Sequence, residues 1–232
     1  MLGIIGAMEE EVAKIRESLE GVTTKQIAGM NFCQGSLEGK PVVVVRSGIG
    51  KVNAAVCTQI LVDCYQVSGV INTGIAGSLK AEINIGDIVL SSDALQHDMD
   101  ATGFGYPVGQ IPQMDIFAFP GDGKLRRLAE EMCGLVNPDI RTHVGRVVSG
   151  DQFISSKEKK EWLVKTFGGS CTEMEGAAIA QAAWLNGVPV LIIRAISDKA
   201  DDSANMDYET FEAQAIQHSV NLLLAMIKRY EP

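Results

Sequence analysis

Three acidic segments of this 232-residue chain carry the side chains best suited to proton transfer. They are Met8-Glu9-Glu10-Glu11 near the start, Glu173-Met174-Glu175, and Arg194-Ala195-Ile196-Ser197-Asp198 near the end. The first and the last lie where an apolar, strand-like run gives way to a helix, which is where α/β proteins assemble their sites. A single Glu-x-Glu at a helix start is more simply a pair of solvated first-turn residues. Only the three segments together favour a site that uses carboxylates as acid and base.

Helix periodicity sorts the three consecutive glutamates. At about 100° per residue, Met8 shares one face with the apolar residues of the following helix, and Glu10 points away from that face to solvent. Glu9 and Glu11 flank the apolar face on opposite sides, each roughly 80° from its centre. Either could face a cleft while the helix stays packed, and periodicity does not choose between them.

Asp198 ends a nearly continuous apolar run, and two interpretations remain open for it. In open α/β sheets, ligands bind beyond the carboxyl ends of the strands, so the position suits a site. A helix cap is the alternative, because Asp201, Asp202 and Ser203 follow closely and caps favour these residue types.

The glycine-rich turns do not indicate a nucleotide-binding fold. Gly3-Ile4-Ile5-Gly6 and Gly48-Ile49-Gly50 lack the full Gly-x-Gly-x-x-Gly pattern, and Gly50-Lys51-Val52 lacks the Ser or Thr of a P-loop. Asn72-Thr73-Gly74-Ile75-Ala76-Gly77 follows an apolar run and could present backbone amides to a ligand. Ser149 to Ile154 also follows a strand-like run, and Phe153 there could offer a ring for stacking.

Strand-like and helical patterns alternate along the chain, which predicts an α/β fold. We expect a three-layer αβα sandwich around a central mixed, largely parallel sheet, built as one domain over residues 1–232. The predicted strands are residues 2–7, 41–46, 67–72, 87–91, 142–149 and 188–196, and the predicted helices are residues 9–19, 51–65, 124–135, 157–166, 174–185 and 209–230. Residues 97–122, rich in Gly and Pro, form the one long irregular stretch, and such loops usually carry function or a subunit contact.

Composition excludes several classes of protein. A formal net charge of −9 with no basic block argues against nucleic acid or an anionic membrane as partner. No apolar run approaches the ~20 residues of a membrane span. Three scattered histidines offer no metal-ligand spacing, so we expect no metal. Five cysteines without a Cys-x-x-Cys pair indicate free thiols and a cytoplasmic protein.

Taken together, these motifs resemble the bacterial 5′-methylthioadenosine/S-adenosylhomocysteine nucleosidases of the nucleoside phosphorylase superfamily. The likeness runs nearly end to end. It rests on Gly3 to Val12, Ser47 to Val52, Asn72-Thr73-Gly74, Ser149-Gly150-Asp151, Glu173-Met174-Glu175 and Arg194 to Asp198. It implies a homodimeric enzyme that needs no cofactor and hydrolyses the bond between adenine and a 5-substituted ribose. Such an enzyme recycles by-products of methylation in methionine salvage.

The resemblance also implies roles for individual residues. Asp198 is expected to protonate adenine N7, with Ser197 orienting it, and Glu11 to activate the water. Glu175 is expected to hold the ribose hydroxyls, as part of the segment Glu173-Met174-Glu175. The remaining implied contacts are Met174 packed on the sugar, Phe153 stacked on the base, the Ile154 backbone at its edge, Gly77 in the wall of the site and Arg194 beside Glu11 or the water.

The 5′ substituent is expected to meet an apolar pocket formed by Met8, Ile49 and Tyr208. By the same resemblance, Phe104 and Pro112 reach this pocket from the partner subunit of a homodimer. Ile75 departs from the family pattern, in which a small polar residue stands, and this puts the substrate preference in doubt rather than the reaction class.

Three other functions compete with hydrolysis of methylthioadenosine. A phosphorylase would need arginines or helix-start amides around phosphate, whereas the first loop here offers Glu9, Glu10 and Glu11. A nucleosidase for 6-amino-6-deoxyfutalosine uses the same residues, and the sequence barely separates it. A non-catalytic nucleoside-binding protein is disfavoured because all three carboxylates are present.

Overall fold

The apolar runs of the sequence form the strands of one mixed sheet. The computed structural model describes residues 1–231, apart from the side chain of Asn205. The strands are β1 (Leu2–Gly6), β2 (Glu20–Ile27), β3 (Met30–Leu37), β4 (Lys40–Arg46), β5 (Gly69–Ser78), β6 (Ile88–Gln96), β7 (Phe119–Pro120), β8 (Thr142–Ser149), β9 (Cys171–Glu173) and β10 (Val190–Asp198).

Helices cover both faces of this sheet. They are α1 (Glu9–Glu17), α2 (Lys51–Tyr65), α3 (Gly123–Val136), α4 (Lys157–Phe167), α5 (Gly176–Leu185) and α6 (Ala204–Arg229). Helices α1, α3 and α6 pack on one face and α2 and α5 on the other, in two separate apolar clusters. Along β10, Leu191 and Ile193 join the first cluster while Ile192 joins the second. Covered on both faces, this strand is therefore nearly all apolar.

Strand pairing brings several strand ends to one place. Strand β5 pairs in parallel with β1 along Gly69–Asn72 and with β10 along most of its length. Its last residues, Gly77 and Ser78, pair with the short strand β9. The carboxyl ends of β1, β5 and β10 therefore lie side by side, with β9 next to the end of β5. Ligands bind at such an edge in α/β proteins.

The expected mixed sheet with helices on both faces is confirmed, but three local predictions were wrong. Strands β2 and β3 were not predicted; they form an antiparallel hairpin that extends the sheet beyond β4. Strand β5 was predicted to end at Asn72 and instead continues to Ser78, because β10 pairs with it as far as Gly77. The segment Asn72 to Gly77 is thus strand rather than turn.

The third difference concerns Glu173-Met174-Glu175, which was predicted to open a helix. Glu173 instead ends strand β9, which pairs with both β5 and β8, and helix α5 begins only at Gly176. The Glu173 carboxylate accepts hydrogen bonds from the backbone N–H groups of Glu175 and Gly176 at 3.1 and 2.7 Å. These amides begin the helix and lack partners within it, so the strand-end carboxylate takes the place of a cap.

One further segment follows the prediction. Residues 97–122 are mostly irregular and contain only a 3₁₀ turn at Thr102–Phe104 and the two residues of β7. None of the helices described in residues 1–231 has the length and apolarity that crossing a membrane demands.

Candidate active site

A cavity of about 390 Å³ opens at the carboxyl ends of β1, β5 and β10. The three acidic segments of the sequence converge on it, although they lie far apart along the chain. The lining residues anticipated from the sequence are Met8, Glu11, Ile49, Gly77, Phe153, Glu173, Met174, Glu175, Ser197, Asp198 and Tyr208. This volume suits a small organic ligand, for which pockets typically measure 300–1,000 Å³.

Glu11 is fixed in the cavity wall by backbone amides from two directions. The N–H groups of Ala7 and Met8 donate to its Oε2 at 2.6 and 3.0 Å, and the N–H of Ile75 donates to Oε1 at 3.1 Å. Burial raises the pKa of this carboxyl, while Arg194 and the three amides oppose that rise. A buried carboxyl with a raised pKa can accept a proton near neutral pH, as a general base must.

The choice between Glu9 and Glu11, which helix periodicity left open, is decided by position. Glu11 is buried and borders the cavity. Glu9 is half-buried and binds the guanidinium of Arg16 on its own helix. Of these two residues, only Glu11 therefore has a carboxylate available to a ligand in the cavity.

Asp198 ends β10 in the wall of the same cavity and does not cap helix α6, which begins at Ala204. Its Oδ1 accepts the N–H of Ala200 at 2.7 Å, and its Oδ2 accepts the hydroxyl of Ser197 at 2.9 Å. Burial raises the pKa of Asp198 in spite of these two hydrogen bonds. A carboxyl that keeps its proton to higher pH can donate it to a ligand.

Glu175 lies in the loop between β9 and α5, where a glycine turn holds it. The N–H of Gly50 donates to Glu175 Oε1 at 2.9 Å. Gly50 has a φ of 97°, a backbone conformation that glycine adopts without strain. Burial, followed by the charge of Glu173, raises the pKa of Glu175 to about 7. The Gly48-Ile49-Gly50 turn thus binds a carboxylate of the protein.

Beneath the cavity, Arg194 is fully buried and surrounded by carboxylates. Its Nε donates to Glu173 Oε2 at 3.1 Å, and its Nη2 donates to the same oxygen and to Asn72 Oδ1 at 2.6 Å. Burial works against its charge, but Glu173, Glu11 and Glu175 together raise the pKa of Arg194, so it stays a cation. Its hydrogen bonds go to Glu173 and Asn72, and the guanidinium also lies near Glu11.

An aromatic and apolar rim faces the carboxylates. Phe153 is 49% exposed, and its ring meets that of Tyr208 edge-on at 6.1 Å between centroids. The hydroxyl of Tyr208 donates to Glu212 at 2.9 Å and lies 3.4 Å from the sulfur of Met8. Exposed Ile49 completes this side. An exposed ring beside a cavity can stack on a planar ligand.

Three of the predicted residues do not line the cavity in the single chain. Ile154 is buried against Leu163 and Phe167 of α4. Phe104 is 86% exposed, and Pro112 is half-buried in the same irregular loop. Ile75, the departure from the family pattern, does line the cavity and is mostly buried in the apolar cluster of α1 and α6.

Several site residues were not singled out from the sequence. Thr172 and Glu209 line the cavity, and the hydroxyl of Thr172 is buried with no partner among the described residues. Asn72 was noticed only for its backbone, yet its side chain binds Arg194. A polar residue inside an otherwise apolar strand was the available signal, because a buried amide needs hydrogen-bond partners.

The chemistry available here is proton transfer between carboxyl groups and a bound molecule. Glu11, Glu175 and Asp198 border one cavity, and the pKa of each is raised by burial. Within the described residues, no three His, Cys, Asp or Glu side chains are grouped as a metal site requires.

Comparison with known proteins first defines the class to which this fold and site belong. The family model described as the phosphorylase superfamily matches residues 1–228. A solved nucleosidase for 5′-methylthioadenosine and S-adenosylhomocysteine from Colwellia psychrerythraea, in complex with adenine, superimposes with a TM-score of 0.93 at 40% identity, over 97% of this chain and 93% of that one.

Individual relatives identify the family within this superfamily. A 5′-methylthioadenosine/S-adenosylhomocysteine nucleosidase from Bacillus pumilus is 43% identical over 98% of both chains. The futalosine hydrolase of Helicobacter pylori is also similar, with a TM-score of 0.93 and 36% identity over 99% of this chain and 97% of that one. The chain belongs to the phosphorylase superfamily and, within it, to the family of 5′-methylthioadenosine/S-adenosylhomocysteine nucleosidases.

Proposed function

We propose that this protein hydrolyses the N-glycosidic bond of 5′-methylthioadenosine and S-adenosylhomocysteine, and of 5′-deoxyadenosine, releasing adenine and a 5-substituted ribose. One observation carries the proposal. Glu11, Glu175 and Asp198, held by separate elements, border one cavity of about 390 Å³ next to an exposed aromatic ring. Full-length relatives that bear this activity in their names support it.

In this proposal, Asp198 acts as the general acid. Cleavage leaves the electron pair of the C1′–N9 bond on the purine, and a proton delivered to N7 neutralises that charge. The reaction requires Asp198 to be protonated near neutral pH, although a free aspartic acid has a pKa of about 3.9. Burial raises the pKa of Asp198, which is the direction that keeps the carboxyl protonated. Ser197 orients the carboxyl through its hydrogen bond to Oδ2.

Glu11 and Glu175 act on the sugar. Departure of the purine leaves positive charge on the ribose, as in glycoside hydrolysis. Glu175 accepts hydrogen bonds from the ribose hydroxyls and stabilises that charge, with Met174 packed on the sugar. Glu11 takes a proton from water, and the resulting hydroxide bonds to C1′. The three amides that hold Glu11 fix the position of this base.

Recognition of the base and of the 5′ substituent completes the proposal. Phe153 stacks on adenine above Gly77, the Ile154 backbone contacts its edge, and Glu173 supports Glu175. Met8, Ile49 and Tyr208 receive the 5′ substituent. We infer a homodimer of one-domain chains, residues 1–232, in which Phe104 and Pro112 reach the site of the partner. The five cysteines are free thiols, which suits a cytoplasmic enzyme.

A second candidate substrate is 6-amino-6-deoxyfutalosine. The Helicobacter pylori futalosine hydrolase is nearly as similar as the other nucleosidases, and the carboxylate chemistry would be the same. Phosphorolysis is less compatible, because the carboxylate of Glu11 borders the cavity and like charges repel.

A substrate panel tests the proposal. Purified protein is incubated with methylthioadenosine, S-adenosylhomocysteine, 5′-deoxyadenosine, aminodeoxyfutalosine and inosine, with and without inorganic phosphate, and free base is quantified. We expect adenine from the first three substrates, independent of phosphate. Strict phosphate dependence would overturn the hydrolase assignment. Exclusive turnover of aminodeoxyfutalosine would make that compound, and not methylthioadenosine, the substrate.

A further inference from the structure

Asn72 lies on β5, the middle one of three adjacent strands, and its side chain binds both neighbouring strands, β1 and β10. It belongs to β5, which pairs with β1 on one side and β10 on the other. Its Nδ2 donates to the carbonyl of Ile5 on β1 at 3.0 Å, and its Oδ1 accepts from Nη2 of Arg194 on β10 at 2.6 Å. The side chain is fully buried, so each polar end has a protein partner in place of water.

The two partners allow only one orientation of the amide. A guanidinium only donates and a carbonyl only accepts, so the oxygen of Asn72 must face Arg194 and the nitrogen must face Ile5. Neither Asp nor Leu makes both contacts: Asp lacks the donor and Leu lacks both groups. Strand β1 leads directly into the Ala7 and Met8 amides that hold Glu11. Asn72 therefore connects the strand that delivers Glu11 with the arginine beneath the cavity.

Arg194 is held by hydrogen bonds to Glu173 and Asn72, and its guanidinium also lies close to Glu11 and Glu175. Glu173 and Asn72 accept from its Nε and Nη2. Its Nη1 lies over Gly74 beside Oε1 of Glu11, since a Cβ at Gly74 would overlap both atoms. The Oε2 of Glu175 is 3.7 Å from Nη2. Movement of the guanidinium would therefore change the charge felt by Glu11 and by Glu175.

We propose that Asn72 is a positioning residue for hydrolysis, and that its amide fixes the Arg194 guanidinium against Glu11 and Glu175. This inference rests on the proposed nucleosidase activity. Asn72 does not line the cavity, and it acts on the carboxylates through Arg194. The charged groups facing Arg194 are Glu11 from α1, Glu173 from β9 and Glu175 from the loop before α5.

The test compares Asn72→Leu with the wild-type protein in adenine release from methylthioadenosine. Loss of the Asn72–Arg194 hydrogen bond lets the guanidinium move, so its positive charge stabilises ionised Glu11 less. Misplacement of catalytic groups by about 1 Å can lower the rate roughly a hundredfold. We expect kcat to fall at least tenfold, by the same principle, and KM to change little. The acid limb of the kcat/KM profile should move to higher pH, because Glu11 must be ionised and a weaker cation lets it keep its proton.

Ser91→Ala is the matched control. Ser91 is buried on β6, and its hydroxyl accepts the N–H of Ile192, two residues before Arg194 on the same strand. This variant also removes a buried hydrogen bond to β10 but leaves Arg194 alone. We expect it to lose thermal stability with an unmoved acid limb. Asn72→Ser, which is too short to reach Arg194, is the second variant in case the leucine is not tolerated, and adenine binding by calorimetry verifies folding.

The outcomes are distinct. A folded Asn72 variant whose acid limb and kcat match those of the wild-type protein overturns the role of Asn72 and leaves the nucleosidase activity intact. An equal shift in Ser91→Ala overturns it too, since general destabilisation of β10 would then explain the effect. A wild-type protein that releases no adenine overturns the proposed function and the role of Asn72 together.

Discussion

The backbone N–H of Ile75 donates to Oε1 of Glu11 at 3.1 Å, across 64 residues of sequence. Strand β5 supplies this amide because it continues past Asn72, and β1 supplies two more through the turn at Ala7 and Met8. Glu11 is thus held by main-chain N–H groups, which among substitutions only proline would remove. Its position depends on the pairing of β1 with β5.

Replacement of Glu11 by Gln should nearly abolish adenine release. The amide cannot take a proton from water, and its NH₂ group would face backbone donors that need an acceptor. General base catalysis typically contributes about 10²–10⁴-fold, and we expect a loss of kcat in that range. Glu10→Gln, on the exposed side of the same helix, is the control and should keep wild-type kcat in the same assay. Comparable activity in the two variants would remove Glu11 from the mechanism.

The alkaline limb of the pH profile should report Asp198. Burial raises the pKa of this carboxyl, while the Ser197 hydroxyl opposes the rise by stabilising the ionised form. A general acid must be protonated, so activity is lost as pH rises through its pKa. Ser197→Ala removes the opposing hydrogen bond, and we expect the alkaline limb of kcat/KM to move to higher pH.

Asp198→Asn provides the reference for this measurement. It has no proton to give, so we expect it to bind adenine while kcat falls about 10²–10⁴-fold. If the limb in Ser197→Ala stays in place or moves to lower pH, Asp198 is not the group that titrates there.

Substitution of Gly74 by Ala should displace Glu11 and the Arg194 guanidinium next to it. A Cβ at this position would overlap Nη1 of Arg194 and Oε1 of Glu11, both buried. Overpacking of this kind usually costs about 1–3 kcal/mol of stability, and here it also displaces the base. We expect a lower melting temperature together with a large loss of kcat.

Gly134→Ala is the matched control for the Gly74 variant. Gly134 lies in helix α3 with no atom within 4 Å of an added Cβ. Alanine favours the helix over glycine, so this variant should be slightly more stable and fully active. An active Gly74→Ala protein would mean that Arg194 and Glu11 can separate without harm.

Glu175→Gln should stabilise the protein at alkaline pH while it reduces activity. Burial and Glu173 raise the pKa of Glu175 to about 7 from its ordinary value of 4.5. Below pH 4.5 both the folded and the unfolded chain are protonated here, and burial of this group carries no charge penalty. Between pH 4.5 and 7 the unfolded chain ionises first, so stability falls as pH rises. The full difference corresponds to about 3 kcal/mol.

Glutamine never ionises and therefore escapes this loss. Denaturant unfolding at pH 5 and pH 8 should show a gain for Glu175→Gln at pH 8 that is much smaller at pH 5. Glu130→Gln, at an exposed position on α3, should show no difference at either pH. Destabilisation of Glu175→Gln at pH 8 would contradict the raised pKa of Glu175.

Phe104→Ala should raise KM for methylthioadenosine severalfold if this ring reaches the partner's site. The side chain is 86% exposed in the single chain, so its removal should leave the fold of the subunit intact. Leu135→Ala, which removes an exposed apolar side chain from α3, should leave KM unchanged.

Mixing two defective proteins tests the same prediction directly. In a mixed dimer of Phe104→Ala and Asp198→Asn chains, one site receives Phe104 from the Asp198→Asn chain and keeps its own Asp198. We expect that site to recover the wild-type KM after subunit exchange. Without recovery, Phe104 does not act across the dimer.

The class of fold and most of the site residues could be predicted from the amino-acid sequence. Alternating apolar runs and helical stripes required a sheet covered on both faces, because nearly all-apolar strands such as β10 must be buried on both sides. The acidic segments are recognisable because two of them follow apolar, strand-like runs, at the edge of the sheet where α/β proteins bind ligands. Helix periodicity excluded Glu10 from the cleft, since local geometry alone sets that direction.

Contacts between distant segments determine which carboxylates face the cavity and in which direction the pKa of each one shifts. Glu9 and Glu11 are equivalent by helix phase, and Glu11 is selected because β5 passes beside it with the Ile75 amide. Glu173 looked like a helix-start residue, but its pairing with β5 and β8 makes it a strand end that binds Arg194. Hydrogen bonds and burial between distant segments set these pKa values and positions, and no local pattern encodes which strands will be neighbours.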